Sequence, residues 1–220
     1  FGALCVVDGV AYAPHGLPDL KELGADIYLF SLYKTFGPHL GLMYVKKDLI
    51  VKMENQSHFF KVGITKSMLT PAGPDHAQIG SVSGILDYFD AVYEHHFTEQ
   101  AMPSQRNSSL NGLFRSQEES LLEPLLEFLR SRDDIRILGP HKVDGRVPTI
   151  SILPLNKSVE NLYSALTSRK LMPGMGDFYA VRPLMDMGIP LDPGVLRMSF
   201  LHYTSMEEIN QLIEGLKKGL

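Results

Sequence analysis

The sequence predicts an α/β fold in two parts: a mostly parallel sheet with helices, then a small α+β domain. Two observations carry this. Apolar runs and a helical segment alternate in strand–helix–strand order near the start of the chain, the order that builds parallel pairs. From about residue 133 short strands and amphipathic helices mix without that order. The composition agrees. A chain of 220 residues, 44% hydrophobic and 21% charged, is globular and excludes disordered, collagen-like and coiled-coil classes. A net charge of −4 leaves no basic footprint for nucleic acid. No apolar run approaches the roughly 20 residues a membrane span needs. The single cysteine, Cys5, excludes an intrachain disulfide and fits a reducing, cytoplasmic compartment.

The elements follow in order. Leu4-Cys5-Val6-Val7 is apolar throughout, the pattern of a strand buried on both faces, and Asp8-Gly9 ends it. The chain opens directly on this run with no initiator Met, which points to a fragment or a processed chain. Leu17 to Leu23 reads as a short helix with Pro18 in its first turn and Gly24 at its C-cap. Asp26 to Ser31 and Leu42 to Val45 are further apolar strands, and Lys47 to Glu54 a short helix. Residues 55–75 lack periodicity and contain Pro71, Gly73 and Pro74, the signature of a long loop. From His76, the spacing of Ile79, Val82, Ile85, Leu86, Phe89 and Val92 predicts an amphipathic helix. Another spans about Ser104 to Arg130, with Pro124 as a possible kink. Strands are predicted at Ile135 to Leu138, Thr149 to Leu153 and Val195 to Leu201. Ser158 is the expected N-cap of a helix over Val159 to Lys170, and Ser205 with Glu208 a capping box for the last helix.

Three features bear on chemistry: Asp8 at the end of one strand, Ser31-Leu32-Tyr33-Lys34 at the end of the next, and Arg197 inside the last strand. Ligands of parallel α/β sheets lie beyond the carboxyl ends of the strands. A carboxylate and an amine placed there suit pyridoxal phosphate, which needs a lysine for its Schiff base and a carboxylate at its pyridine nitrogen. A hydroxyl at Ser31 suits the phosphate. The residues alone leave the plain alternatives open: Asp8 as a turn residue, Lys34 as a solvated surface charge. Lys34 follows a largely apolar stretch, and desolvation there would lower its pKa. The adjacent His95 and His96 do not share a helix face and make a poor metal pair.

The segments DGVAYAPH, SLYKTFGPHLGLMYV and VLRMSFLHYTSMEEINQLIEGL resemble, in order and spacing, aminotransferase class V. These are fold-type I pyridoxal phosphate enzymes, and the likeness is to their cysteine desulfurase-like branch. Lys34 lies 26 residues after Asp8, and the arginine strand sits near the C-terminus, as in that family. The resemblance implies that residues 1–103 are the C-terminal part of the large cofactor domain. Residues 104–220 are then a connecting helix and the small domain.

It also implies roles. Asp8 pairs with the pyridine nitrogen. Lys34 forms the Schiff base and shuttles the substrate Cα proton. Ser31 binds the phosphate, with Tyr33 in place of a histidine found in many relatives. Ala11 replaces a glutamine that reaches the cofactor ring, and His15 is structural. Arg197 holds the substrate α-carboxylate. Gly73 to His76 falls where desulfurases reach the neighbouring subunit's phosphate, which implies a homodimer with shared active sites; capping of a helix N-terminus is the alternative for His76. The loop Met172 to Ala180 stands where desulfurases carry a mobile cysteine and has none, and Cys5 is expected to be buried in a core strand. The implied activity is transamination or elimination on an amino acid, with persulfide chemistry disfavoured. The alternative is a truncated, non-catalytic fragment with an incomplete cofactor site. In the loop, Asp177 and Tyr179 either line the substrate pocket or cap a turn.

Overall fold

Three apolar runs of the N-terminal part pair into one sheet. In the computed structural model, which describes residues 1–71 and 73–220, these are β1 (Val6–Asp8), β2 (Ile27–Ser31) and β3 (Gly41–Val45), in the order β1-β2-β3. β1 and β2 are parallel, with Val7 opposite Tyr28 and Asp8 opposite Leu29. Their connection includes helix α1 (Leu20–Leu23), long enough for the crossover that parallel strands require. β3 runs antiparallel to β2, unlike the parallel arrangement expected of this part. The cause is length. Leu32 to Leu40 is too short for a crossover and can only turn the chain back.

Helix α1 is shorter than predicted because Asp19, not a residue near Leu17, is its N-cap. The Asp19 carboxylate accepts from the backbone N–H groups of Lys21 and Glu22. Gly24 closes the helix at φ 69°. Helix α2 covers only Lys47–Ile50. The loop expected over 55–75 carries a single 3₁₀ turn, Phe59–Lys61, among its described residues. The long helix expected from His76 is divided into α3 (His76–Ser81) and α4 (Ser83–His96). Of its apolar stripe Ile85 is buried, while Ile79 and Leu86 are exposed.

Helix α5 (Pro103–Arg130) runs through Pro124 without interruption. The resemblance puts the domain boundary at about 103/104, and the two compact units of the structure are Phe1–Gly112 and Leu113–Leu220. The first turns of α5 go with the first unit through their side chains. Asn107 and Asn111 each donate to the Leu17 carbonyl, and the Leu17 N–H donates back to Asn111.

The second unit contains β4 (Ile135–Leu138), β5 (Thr149–Pro154), α6 (Val159–Thr167), β6 (Gly174–Gly176), α7 (Val181–Asp186), β7 (Val195–Ser199) and α8 (Met206–Gly219). Its strands form an antiparallel sheet in the order β4-β5-β7-β6. One cluster packs Leu121, Leu122, Leu125, Leu126 and Leu129 of α5 against Ile150 and Ile152, Leu196 and Met198, Leu162 and Leu166, and Ile209 and Leu216. The helix caps read from sequence form here: Ser158 accepts from the Asn161 N–H. Ser205 and Glu208 exchange both bonds of a capping box.

Candidate active site

The first group of site residues sits where parallel β1 and β2 end. Asp8 is the last residue of β1 and Ser31 the last of β2. Because the two strands are hydrogen-bonded neighbours, their carboxyl ends are adjacent, and the carboxylate and the Ser31–Lys34 turn lie on the same edge of one sheet. Asp8 is exposed, and its Oδ1 accepts from the Val10 N–H at 3.0 Å, which ties the turn that leaves β1. The turn also needs Gly9. A Cβ there would lie 2.0 Å from the Tyr28 hydroxyl.

Lys34 stands on a 3₁₀ turn, Leu32–Lys34, immediately after β2. The Leu32 carbonyl accepts from both the Thr35 and the Gly37 N–H, and the buried Thr35 hydroxyl donates to the Ser31 carbonyl at 3.1 Å. Gly37 allows close packing: a Cβ there would lie 2.5 Å from Ile85 Cδ1. Phe36 takes a left-handed φ of 63° and packs its ring on Tyr88 and Phe89. The turn is thus pinned below, while Lys34 itself is exposed, with its Nζ 5.9 Å from the Tyr33 ring centroid. Leu32, Thr35 and Phe36 pack inward and Lys34 does not. Among the described residues no carboxylate pairs with it.

Tyr33 is half-exposed and stacks on His39, with centroids 4.7 Å apart and planes 6° apart. His15 is buried in the 3₁₀ turn after β1, and Ala11 is exposed. Gly73 lies in the irregular segment before α3 and His76 is the first residue of α3, both exposed. No hydrogen bond or ring contact among the described residues joins them to the Asp8–Lys34 group. The cap of α3 is Asp75, whose carboxylate accepts from the Ala77 and Gln78 N–H groups, so His76 does not cap it. Cys5 is exposed, contrary to the buried position expected of it. An apolar pattern shows that a strand can be buried; it does not supply the covering surface, and here Cys5 and Val6 are exposed while Val7 is half-buried.

Arg197 belongs to the second unit. It lies in β7 opposite Ser151 of β5 and Gly174 of β6. It is half-buried, and burial pulls its pKa below the usual arginine value. Its guanidinium carbon is 3.7 Å from the centroid of Phe178. Asp177 caps a turn, accepting from the Tyr179 N–H at 3.1 Å, and Tyr179 is fully exposed.

Three residues escaped the sequence reading. His39 is the ring neighbour of Tyr33, and Phe178 that of Arg197. Tyr28 is buried with a hydroxyl that has no hydrogen-bond partner among the described residues. Burial raises its pKa first, the nearby Tyr12 and Asp8 adding to the effect. The apolar run IYLFS does not single out Tyr28 as the residue facing inward, and nothing local marks the two ring contacts.

No group of three or more His, Cys, Asp or Glu side chains that could hold a metal occurs among the described residues. The donor set at the β1–β2 edge fits pyridoxal phosphate: a carboxylate, an exposed amine without an ion-pair partner, and a serine hydroxyl not spent on capping its turn.

Comparison with known proteins bears on the fold. Residues 1–67 match the family model of aminotransferase class V. The aminotransferase-like protein FGM3 of Gibberella zeae is 34% identical over all of this chain and 52% of its own length. The cysteine desulfurase-like protein ustD of Aspergillus flavus is 29% identical over 98% of this chain and 47% of its own. Among solved structures, the cysteine desulfurase CsdA of Escherichia coli superposes with a TM-score of 0.78 at 20% identity, over 99% of this chain and 52% of that one. The chain spans about half the length of the relatives it matches.

Proposed function

We propose that this chain, whose fold is that of the C-terminal portion of class V, cysteine desulfurase-like proteins, carries the lysine-bearing part of a pyridoxal phosphate enzyme acting on an amino acid. The observation that supports this most is the parallel pairing of β1 with β2, which brings Asp8 and the Ser31–Lys34 turn to one sheet edge. Aminotransferases of class V and cysteine desulfurases are pyridoxal phosphate enzymes. In this reading Asp8 holds the pyridine nitrogen, and Ser31 and Tyr33 hold the phosphate. Gly73 and His76 serve a phosphate across a homodimer with shared active sites. Lys34 attaches the cofactor through its amine. When bound, the cofactor is an electron sink that acidifies the substrate Cα–H.

The chain's own residues do the rest. The Asp8 carboxylate keeps a proton on the nitrogen it faces. Once the substrate's own amino group has displaced it, the freed Lys34 Nζ would take the proton from the substrate Cα and could return it. Arg197 grips the α-carboxylate with two parallel N–H donors. Transamination and elimination both begin with that proton removal. Persulfide-forming desulfuration is disfavoured because the loop Met172 to Ala180 carries no cysteine. The protein is assigned to the cytoplasm, in keeping with its single cysteine; no helix among the described residues is long and apolar enough to cross a membrane.

A second reading, a non-catalytic chain with an incomplete cofactor site, is favoured by one observation. Asp8 and Lys34 are exposed, so these 220 residues alone do not enclose them. Titration of the 220-residue chain with pyridoxal phosphate separates the two. A stoichiometric visible absorbance change, lost in Lys34→Ala, supports the first. An unchanged spectrum at saturating cofactor supports the second.

A further inference from the structure

We propose that Phe178 is the positioning residue for Arg197, and that the strained turn Gly176–Tyr179 fixes the plane in which Arg197 receives a carboxylate. The inference rests on the reading of Arg197 as the α-carboxylate site.

The stack is built from both sides. The Arg197 guanidinium carbon lies 3.7 Å from the Phe178 centroid, well inside the roughly 6 Å within which a cation is attracted to a ring face. Gly174, the register partner of Arg197 on β6, makes room for the ring: a Cβ there would stand 2.9 Å from two Phe178 ring carbons. Phe178 also packs against the apolar cluster of Leu184, Ile189 and Val195, which anchors its other contacts.

The backbone that delivers the ring is unusual. Phe178 and Tyr179 are both left-handed, at φ 51° and 61°, a conformation that aromatic residues rarely adopt. Such strain persists only where the surroundings over-determine it. They do so here. Asp177 accepts from the Tyr179 N–H through its side chain and from the Ala180 N–H through its carbonyl. Gly194 presses on the turn so closely that a Cβ would lie 2.2 Å from the backbone of Gly176. Returning either aromatic residue to an ordinary φ would redirect the chain and lift the ring from Arg197.

The consequence is chemical. Among the described residues Arg197 has no carboxylate partner, and its guanidinium carbon lies over the Phe178 ring. Its in-plane N–H groups are the donors left for a ligand, and they match a carboxylate approaching edge-on with two parallel bonds. The ring thereby sets the orientation of the ligand's carboxylate without touching it.

The test uses the protein loaded with pyridoxal phosphate and a small probe bearing the α-carboxylate, L-alanine, beside L-alaninamide, which lacks it. Equilibrium dissociation constants are read from the cofactor's visible spectrum in the wild type, Phe178→Gly, Phe178→Tyr and Arg197→Ala. Glycine suits φ 51°, so Phe178→Gly removes the ring while keeping the turn, and its melting temperature verifies that it folds. Phe178→Gly is expected to weaken L-alanine binding roughly 2- to 30-fold, with the amide unaffected and Phe178→Tyr restoring affinity. If Arg197→Ala weakens L-alanine and Phe178→Gly does not, the positioning role is overturned and the reading of Arg197 stands. If the wild type gives no L-alanine response, or Arg197→Ala leaves it unchanged, the reading of Arg197 falls and the inference with it.

Discussion

The two units treat apolar strands in opposite ways. In the second, Ile150, Ile152 and Leu196 are fully buried under α5, α6 and α8. In the first, Leu4 and Val6 are 61% and 58% exposed, and Leu42 and Met43 on β3 are exposed as well. The β1 run is at least as apolar as the buried strands, yet burial stabilises it little in this chain. The amine and carboxylate thus stand on the open sheet, held by turns and hydrogen bonds. Arg197, the proposed carboxylate site, stands on the closed one, held by packing and ring contact.

The largest effect that would break this contrast is a core truncation. Leu126→Ala should cost about 2–5 kcal/mol in urea denaturation, whereas Val6→Ala should stay within about 0.5 kcal/mol. Comparable losses would show that β1 is buried in solution. Next come two glycines. Gly194→Ala drives a Cβ to 2.2 Å from the backbone of Gly176 at a φ of 75°, where nothing can yield. Gly37→Ala meets the end of the Ile85 side chain, which can move. Expected losses are about 3 kcal/mol and about 1 kcal/mol respectively; the reverse order of melting temperatures would contradict the packing described for the two turns.

A smaller effect belongs to the capping box. Ser205→Ala should cost about 1 kcal/mol, with faster amide exchange across α8 and none in β1 to β3. Spread of the change to the first sheet would mean that the units unfold as one. The smallest is acid sensitivity in the first unit. Asp26 is held below the usual carboxylate range, first by the Cys5 N–H and then by the Lys46 ammonium. Its stabilisation is complete above about pH 4, the unfolded value, and is lost as pH falls through the depressed folded value. Between pH 5 and 2 the wild type should lose more stability than Asp26→Asn; parallel curves would remove Asp26 from the account.

Much of this was legible in the sequence, for local reasons. Asp8, Ser31 and Lys34 end short apolar runs, and strand ends follow from pattern and turn residues alone. The Ser205–Glu208 box and the Gly24 cap are likewise set within a few residues. What stayed hidden depends on distant or unusual geometry. The direction of β3 follows from the length of the Leu32–Leu40 turn rather than from the composition of either strand. The exposure of Cys5 depends on what covers β1, which its own sequence does not encode. The stacks of Tyr33 on His39 and Arg197 on Phe178 arise from loop paths. The second needs two aromatic residues in a conformation that their side chains disfavour.

In the proposed function, Lys34 is the residue joined to the cofactor. Borohydride reduction of the protein loaded with pyridoxal phosphate, followed by mass-spectrometric peptide mapping, tests it directly. The account predicts a single stoichiometric phosphopyridoxyl label on Lys34. A label on another lysine, with Lys34 unmodified, would contradict it.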